Sequence, residues 1–295
     1  MNINQLRYFV AVAEYKSFSK AAEQYFMTQT AVTQQIQRLE ENIGVRLIDR
    51  KTRPVSLTPM GMVFLQEARS ILTRMENAIR RTREASAGVT GTLRIGYTKG
   101  YEHSDLVVKL RNFHHEYPNV LLTCSRCDTD VLASGLINGE FDIIFTWDST
   151  NIRQDAEVEY RHQEQVDLMV ALYGSHPLAH CTRLRREDLK NEVNLFMSPS
   201  ATGESPGDEF FLCLYQKAGY TPNILLRTSD VESILLMVAA EEGISILPGT
   251  CVRSLSESDN LVFVPLEGED ETEEILAVWN KSNKSPSLQL FLDRL

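Results

Sequence analysis

Thr30, Thr33, Gln34 and Gln37, joined by Gln29 at the start as a candidate base contact, share one side of a stretch whose apolar residues Val32, Ile36, Leu39 and Ile43 take the other. At 100° per residue the last three all fall within about 40° of Val32 on a helical wheel, so the stretch is a helix with a core face and a polar face. A helix that only needs solubility usually displays charge, whereas this one displays amides and hydroxyls. Gln can pair bidentately with adenine N6 and N7, and Thr can donate to a base or touch a thymine methyl. Periodicity by itself weighs base reading and a merely polar surface evenly. Thr28 stands where the helix N-cap belongs and Gly44 where the helix must stop, and Thr28 joins the candidate contacts. Arg50, Lys51 and Arg53 follow in a short basic turn, suited to phosphate or to a narrow minor groove.

Other residues carry weaker chemical signals. Cys124 and Cys127 have redox or zinc-pair spacing, but they lie at the end of an expected strand. Side chains three apart point to opposite faces there, and no second Cys/His pair accompanies them. His114-His115 reads as a solvated pair at a helix end. Residues 96–100 (GYTKG) lack the Lys-Ser/Thr of a P-loop, and neither Gly-x-Gly-x-x-Gly after a strand nor Gly-x-Ser-x-Gly occurs. No enzyme activity, cofactor or metal is expected.

The chain of 295 residues is 43% apolar and 24% charged, ordinary for a globular protein of more than one domain. No apolar run reaches the ~18 to 20 residues of a membrane span, and no export signal opens the sequence. No membrane association and a cytoplasmic location are therefore expected, with the five cysteines reduced. The net charge of −10 divides unevenly: residues 1–90 hold 13 Lys+Arg against 8 Asp+Glu, or +5, and the remainder holds −15. Phosphate binding needs only a locally positive surface, so the first segment is the candidate nucleic-acid binder.

Helices are expected over 4–15, from Ser17 or Ser19 through the paired Ala21-Ala22, and from Thr28 to Gly44. Short β pieces at 45–48 and 55–57 bracket the basic turn as a wing. A long helix from Pro59 follows, with Leu65, Leu72 and Ile79 alternating with Ala68, Met75 and Thr82 at seven-residue spacing. That stripe suits a helix partner, and Leu65, Leu72, Met75 and Ile79 are its expected dimer seam. Residues 85–91 (ASAGVTG) form the best linker. Beyond it, strands near 93–96, 120–124, 141–145, 166–172, 192–197, 224–227 and 243–247 alternate with helices near 106–116 and 131–138. Such alternation argues for parallel sheets covered by helices, in two α/β lobes with a cleft between them.

The stretch 17–61 resembles the winged helix-turn-helix of LysR-type transcriptional regulators. The paired alanines, Thr28-Gln29, Gln35-Ile36 to Leu39-Glu40, Gly44 with Leu47, and Leu57-Thr58 to Gly61 fall in register. The resemblance continues through Gly91-Thr92-Leu93-Arg94-Ile95-Gly96, Phe113 to Tyr117-Pro118 and Val120, Gly139 to Asp142, His176-Pro177-Leu178, Gly243-Ile244 with Leu247-Pro248, and the end from Ser285-Pro286. It implies an N-terminal all-α winged helix-turn-helix with a long linker helix, and a C-terminal α/β two-lobed effector domain of the periplasmic-binding-protein (type 2) fold. The expected divisions are 1–58, 59–87 and 88–295, with one lobe at about 91–161 and 267–295 and the other at about 162–266. The implied protein is a homotetramer, a dimer of dimers. It binds double-stranded DNA and a small effector and acts on RNA polymerase. Gln34 stands where many relatives carry Arg. Residues 198–208, matching the region that holds the reactive cysteines of peroxide-sensing relatives, contain none. The alternative function is a ligand-independent architectural DNA binder; a solute-binding protein fails on the missing export signal.

Ligands of open α/β sheets sit beyond the carboxyl ends of parallel strands. Thr98, Lys99, Cys127, Trp147, Ser198, Ser200, Thr202 and Thr228 follow expected strands in that way, and similar positions line the effector site in relatives. Lys99, with the helix N-terminus after the 198–207 loop, points to an anionic metabolite.

Overall fold

A computed structural model describes residues 1–52, 54–86, 91–147, 155–198, 206–254, 260–268 and 270–295. Arg53, Ser200 and Thr202, expected above to contact DNA or effector, lie outside them. The chain divides into two compact units, Met1–Arg83 and Glu84–Leu295.

The first unit packs α1 (Ile3–Tyr15), α2 (Phe18–Gln24) and α3 (Gln29–Ile43) around Leu6, Phe9, Val12, Ala21, Ala22, Val32, Ile36 and Leu39. Caps mark each start: Asn2 and Gln5 form a capping box, and the Ser17 and Thr28 side chains accept from the backbone N–H groups of Lys20 and Ala31. Gly44 closes α3 at φ 82°, where a side chain would be strained. The wing strands are shorter than expected, β1 (Ile48–Asp49) and β2 (Ser56–Leu57). Val45 and Arg46 stay out of the sheet, which begins only at Ile48. The Leu47 and Ile48 N–H groups donate to Glu40 Oε1 at 2.9 and 3.1 Å, tying the wing to α3.

In α4 (Pro59–Ser86) the seven-residue stripe divides. Ala68 is buried, and Leu65 and Leu72 pack with Phe64 on the unit's own core. Met75 is half-buried, while Ile79 and Ile71 are 44% and 41% exposed.

The second unit carries β3 (Thr92–Thr98), α5 (Leu106–Glu116), β4 (Leu121–Cys127), α6 (Thr129–Ile137), β5 (Ile143–Trp147), β6 (Val158–Tyr173), β7 (Val193–Met197), α7 (Pro206–Lys217), β8 (Asn223–Thr228), α8 (Val231–Ala239), β9 (Ser245–Pro248), β10 (Leu261–Pro265), β11 (Thr272–Asn280) and α9 (Pro286–Leu292). The expected all-parallel arrangement holds only in part. β3 is parallel to β4 and β5, and β7 to β8, but β11 is antiparallel to β5 and β6, and β6 is antiparallel to β9 and β10. The reason is that two long strands return across the unit. On β6, Val166 belongs to one core with Leu93, Phe145 and Phe291, whereas Leu168 belongs to another with Leu184 and Ile244. On β11, Ile275 joins the first core. Each lobe thus has its own apolar centre, and the paired β6 and β11 run between them. In the first lobe, Asp142 accepts from the Arg94 backbone and guanidinium, both at 3.0 Å, and from Asn283, locking β3 to the loop before β5.

Candidate functional site

On α3, the exposed Thr30, Gln34 and Gln37 stand at i, i+4 and i+7 and form one stripe, with Arg38 exposed beside them. Three neighbours are partly committed within the chain. Gln29 Oε1 accepts from Ser19 Oγ at 3.1 Å, Thr33 Oγ1 donates to the Gln29 carbonyl at 2.8 Å, and Thr28 Oγ1 caps Ala31. The Gln29 amide NH₂ and the Thr28 hydroxyl proton remain available to a ligand. In the wing, Lys51 is exposed, but Arg50 is already paired with Glu40 at 2.9 Å and lies 5.6 Å over the Phe18 ring. Sequence reasoning missed Glu40, one carboxylate that holds two wing amides and a wing guanidinium.

The expected effector residues assemble in two groups. Thr98 pairs with Cys127 at the carboxyl ends of β3 and β4, and Trp147 ends the adjacent β5. In the other lobe Met197 pairs with Thr228, and the Ser198 N–H donates to the Thr228 carbonyl at 3.0 Å. The two groups meet through Lys99, whose Nζ lies 2.9 Å from Asp128 Oδ1 and 3.0 Å from Ser229 Oγ. Gly100 makes that reach available. It turns at φ 88°, and a Cβ there would lie 2.6 Å from Cys251 Sγ.

Several expected residues are turned away from a ligand. Ser198 is fully buried and donates to Asp208 at 3.1 Å, Thr228 Oγ1 accepts from the Asp230 N–H, and Cys127 packs against the core of Leu132, Leu136 and Phe141. Burial pushes the Cys127 and Cys124 thiols above their ordinary pKa, the opposite of an activated thiolate. The expectation of an anionic effector rests on a free Lys99 ammonium, and Asp128 neutralises it; the 199–205 loop lies outside the described residues. Asp128 and Ser229, missed in the sequence, each follow an expected contact residue directly and were within reach of the same strand-end rule.

A cavity of about 40 Å³ is lined by Trp147, Phe196, Phe211, Tyr215, Arg186 and Glu273, among others. Arg186 is held bidentately by Glu271 at 2.8 and 2.5 Å, with its guanidinium 4.5 Å over the Tyr215 ring. Among the described residues no cluster of His, Cys, Asp and Glu fit to hold a metal occurs, and no helix is long and apolar enough to cross a membrane.

Residues 3–62 match the family model of the bacterial regulatory helix-turn-helix protein, lysR family, and residues 86–295 match that of the LysR substrate binding domain. The chain is 32% identical over 293 residues to the uncharacterized HTH-type transcriptional regulator YnfL of Escherichia coli (strain K12), covering 99% of this chain and 96% of that protein. It is 30% identical to the HTH-type transcriptional regulator BudR of Raoultella terrigena, with 99% of each covered. Among solved structures, full-length CbnR complexed with the target DNA is similar at a TM-score of 0.73 and 27% identity, over 100% of this chain and 98% of that one.

Proposed function

This chain belongs to the LysR family of transcriptional regulators, and on that premise we propose that Thr30, Gln34 and Gln37 read its operator while Lys51 and the rest of the wing grip the backbone. The protein is an effector-controlled, DNA-binding regulator. The observation that carries the reading of bases is the uncharged stripe on α3, exposed along its length in the more basic part of the chain. A Gln or Thr contact to a base edge contributes sequence discrimination of about 1–3 kcal/mol, and a lysine on phosphate adds affinity that does not depend on sequence.

Effector control follows from the cleft. Lys99 joins the lobes through Ser229, and a ligand that enters beside it alters the relative stability of their two arrangements. The α4 helices pair two chains through Met75 and Ile79 and the exposed apolar residues near them, with Leu65 and Leu72 buttressing the pair from the core side. A dimer of dimers then presents four recognition helices to DNA and meets RNA polymerase in the cytoplasm.

The test is fluorescence anisotropy of the full-length protein with the DNA upstream of its own gene against shuffled DNA, with and without candidate metabolites. Discrimination that falls in Gln34→Ala and shifts with a metabolite is the expected result. Discrimination that no metabolite changes favours the architectural alternative, and equal binding to both DNAs overturns the reading.

A further inference from the structure

The cavity lined by Trp147, Phe196 and Tyr215 holds an acidic side chain, Glu273, for which no partner occurs among the described residues. Glu271 and Glu273 lie on the same face of β11 and the residue before it, since side chains alternate along a strand. Glu271 is consumed by Arg186, whereas the half-buried Glu273 carboxylate makes no hydrogen bond or ion pair among the described residues. Burial without a partner pushes its pKa up to about 8. In the lining, the Tyr215 hydroxyl donates to Asn194 Oδ1 at 3.2 Å and is thereby occupied.

The location matters as much as the vacancy in bonding. Glu273 pairs in register with Val166 on β6. Two residues on, Ile275 is in the first lobe's core, and Leu168, two beyond Val166, is in the second's. The carboxylate therefore sits where both connecting strands pass from one lobe to the other. Trp147 lines the same cavity from the first lobe, and Phe196, Phe211 and Tyr215 from the second.

We propose that Glu273 is the recognition group for an amphipathic organic cation, a short apolar body carrying a primary ammonium, bound in this cavity at the hinge. The inference deepens the effector reading given above and rests on it. Charge selects the sign. Among the described lining residues Arg186 is already paired with Glu271, so Glu273 is the acidic group left to meet a ligand. Burial holds a proton on Glu273 below about pH 8; an ammonium offsets the cost of releasing it by pairing with the carboxylate against the negative faces of the aromatic rings, whereas an anion opposes that release. Size limits the inserted part. About 40 Å³ takes roughly three water-sized groups, so the ammonium and its first carbons enter while the rest of the ligand stays outside the cavity.

The experiment uses full-length protein and three probes of equal length, n-butylamine, 1-butanol and butyrate, followed by ligand-observed NMR titration and thermal shift. We expect n-butylamine to bind at least tenfold more tightly than butyrate. Glu273→Gln should weaken the amine at least tenfold and leave 1-butanol within twofold. Equal binding of amine and butyrate, or amine binding unchanged in Glu273→Gln, overturns the inference. Should that variant fail to fold, Phe211→Trp, which fills the cavity, must weaken the amine by a similar factor, and unchanged affinity overturns the inference equally. Operator binding is measured on the same samples. If DNA discrimination and a metabolite response persist while no amine binds, the ligand class falls and the regulatory reading stands. If discrimination is absent, the regulatory reading falls, and with it the effector role of the cavity.

Discussion

Lys99 Nζ donates to Ser229 Oγ at 3.0 Å and so joins the end of β3 to the residue after β8, 130 positions away in sequence. The same ammonium is neutralised by Asp128, which makes it a tie between lobes before any ligand arrives. Ser229→Ala removes one charge-assisted hydrogen bond, a loss of about 1 kcal/mol. Amide hydrogen exchange should rise at residues 98–99 and 228–231 with little change in Tm. Protection unchanged at both ends would mean that the tie does not restrain the lobes.

On α3, Gln34→Ala and Gln37→Ala should each relax sequence preference by about 1–3 kcal/mol for a lost base contact. Thr33→Val should do less, because its hydroxyl already donates to the Gln29 carbonyl. Lys51→Ala should weaken all sequences alike and lower the slope of log affinity against log salt by about one unit. Anisotropy titrations over a salt series with operator and shuffled DNA check all three, and a sequence-selective effect of Lys51 would reverse its role.

Along α4 the two kinds of apolar position should respond differently to charge. Ile79→Glu places a carboxylate on an exposed position, so light scattering should show smaller assemblies with the Tm of the first unit retained. Leu72→Glu places it against that unit's own core and should lower the Tm as well. Native mass in Ile79→Glu would move the dimer contact elsewhere.

Arg186→Met strands Glu271, whose side chain is only 9% exposed, and should destabilise the second unit by about 3–5 kcal/mol. Arg186→Met with Glu271→Leu should recover much of that loss, because no buried charge is then left unpaired. Chemical denaturation of the single and double variants makes the comparison. A double variant no more stable than the single one would show that the pair's packing, rather than its charge balance, matters.

Glu273 sets a pH dependence of definite sign. Its folded pKa of about 8 lies above the ordinary 4.5, so between those values the native protein holds a proton that the unfolded chain has released. Stability is then highest below the unfolded value and falls as pH rises toward 8, by at most about 1.4 kcal/mol per unit. Urea unfolding at pH 5.5 and 8 should show this decline in the native sequence and less of it in Glu273→Gln. Equal slopes in the two proteins would place the proton elsewhere.

What could be read from the sequence was written by near neighbours. The Thr28 cap, the core face of Val32, Ile36 and Leu39 and the stop at Gly44 all arise within a few turns of one helix, and the structure has each of them. The family motifs extended that reading to the lobed second unit. The strands at 261–265 and 272–280 escaped it. The second begins Thr-Glu-Glu, a charged start that makes sense only once those residues are seen at a hinge and beside a cavity.

The sequence alone determined the helices of the first unit, their caps and which residue types stand on their faces and at several strand ends, because propensity, capping and periodicity act over a handful of residues. Tertiary structure decided how those side chains are used. Folding brought Lys99 to Ser229, gave Glu40 the wing amides, turned Leu72 onto its own core and supplied Arg186 to Glu271 while leaving Glu273 without a partner among the described residues. A side chain's free valence depends on what arrives from distant parts of the chain, and no local pattern encodes that arrival.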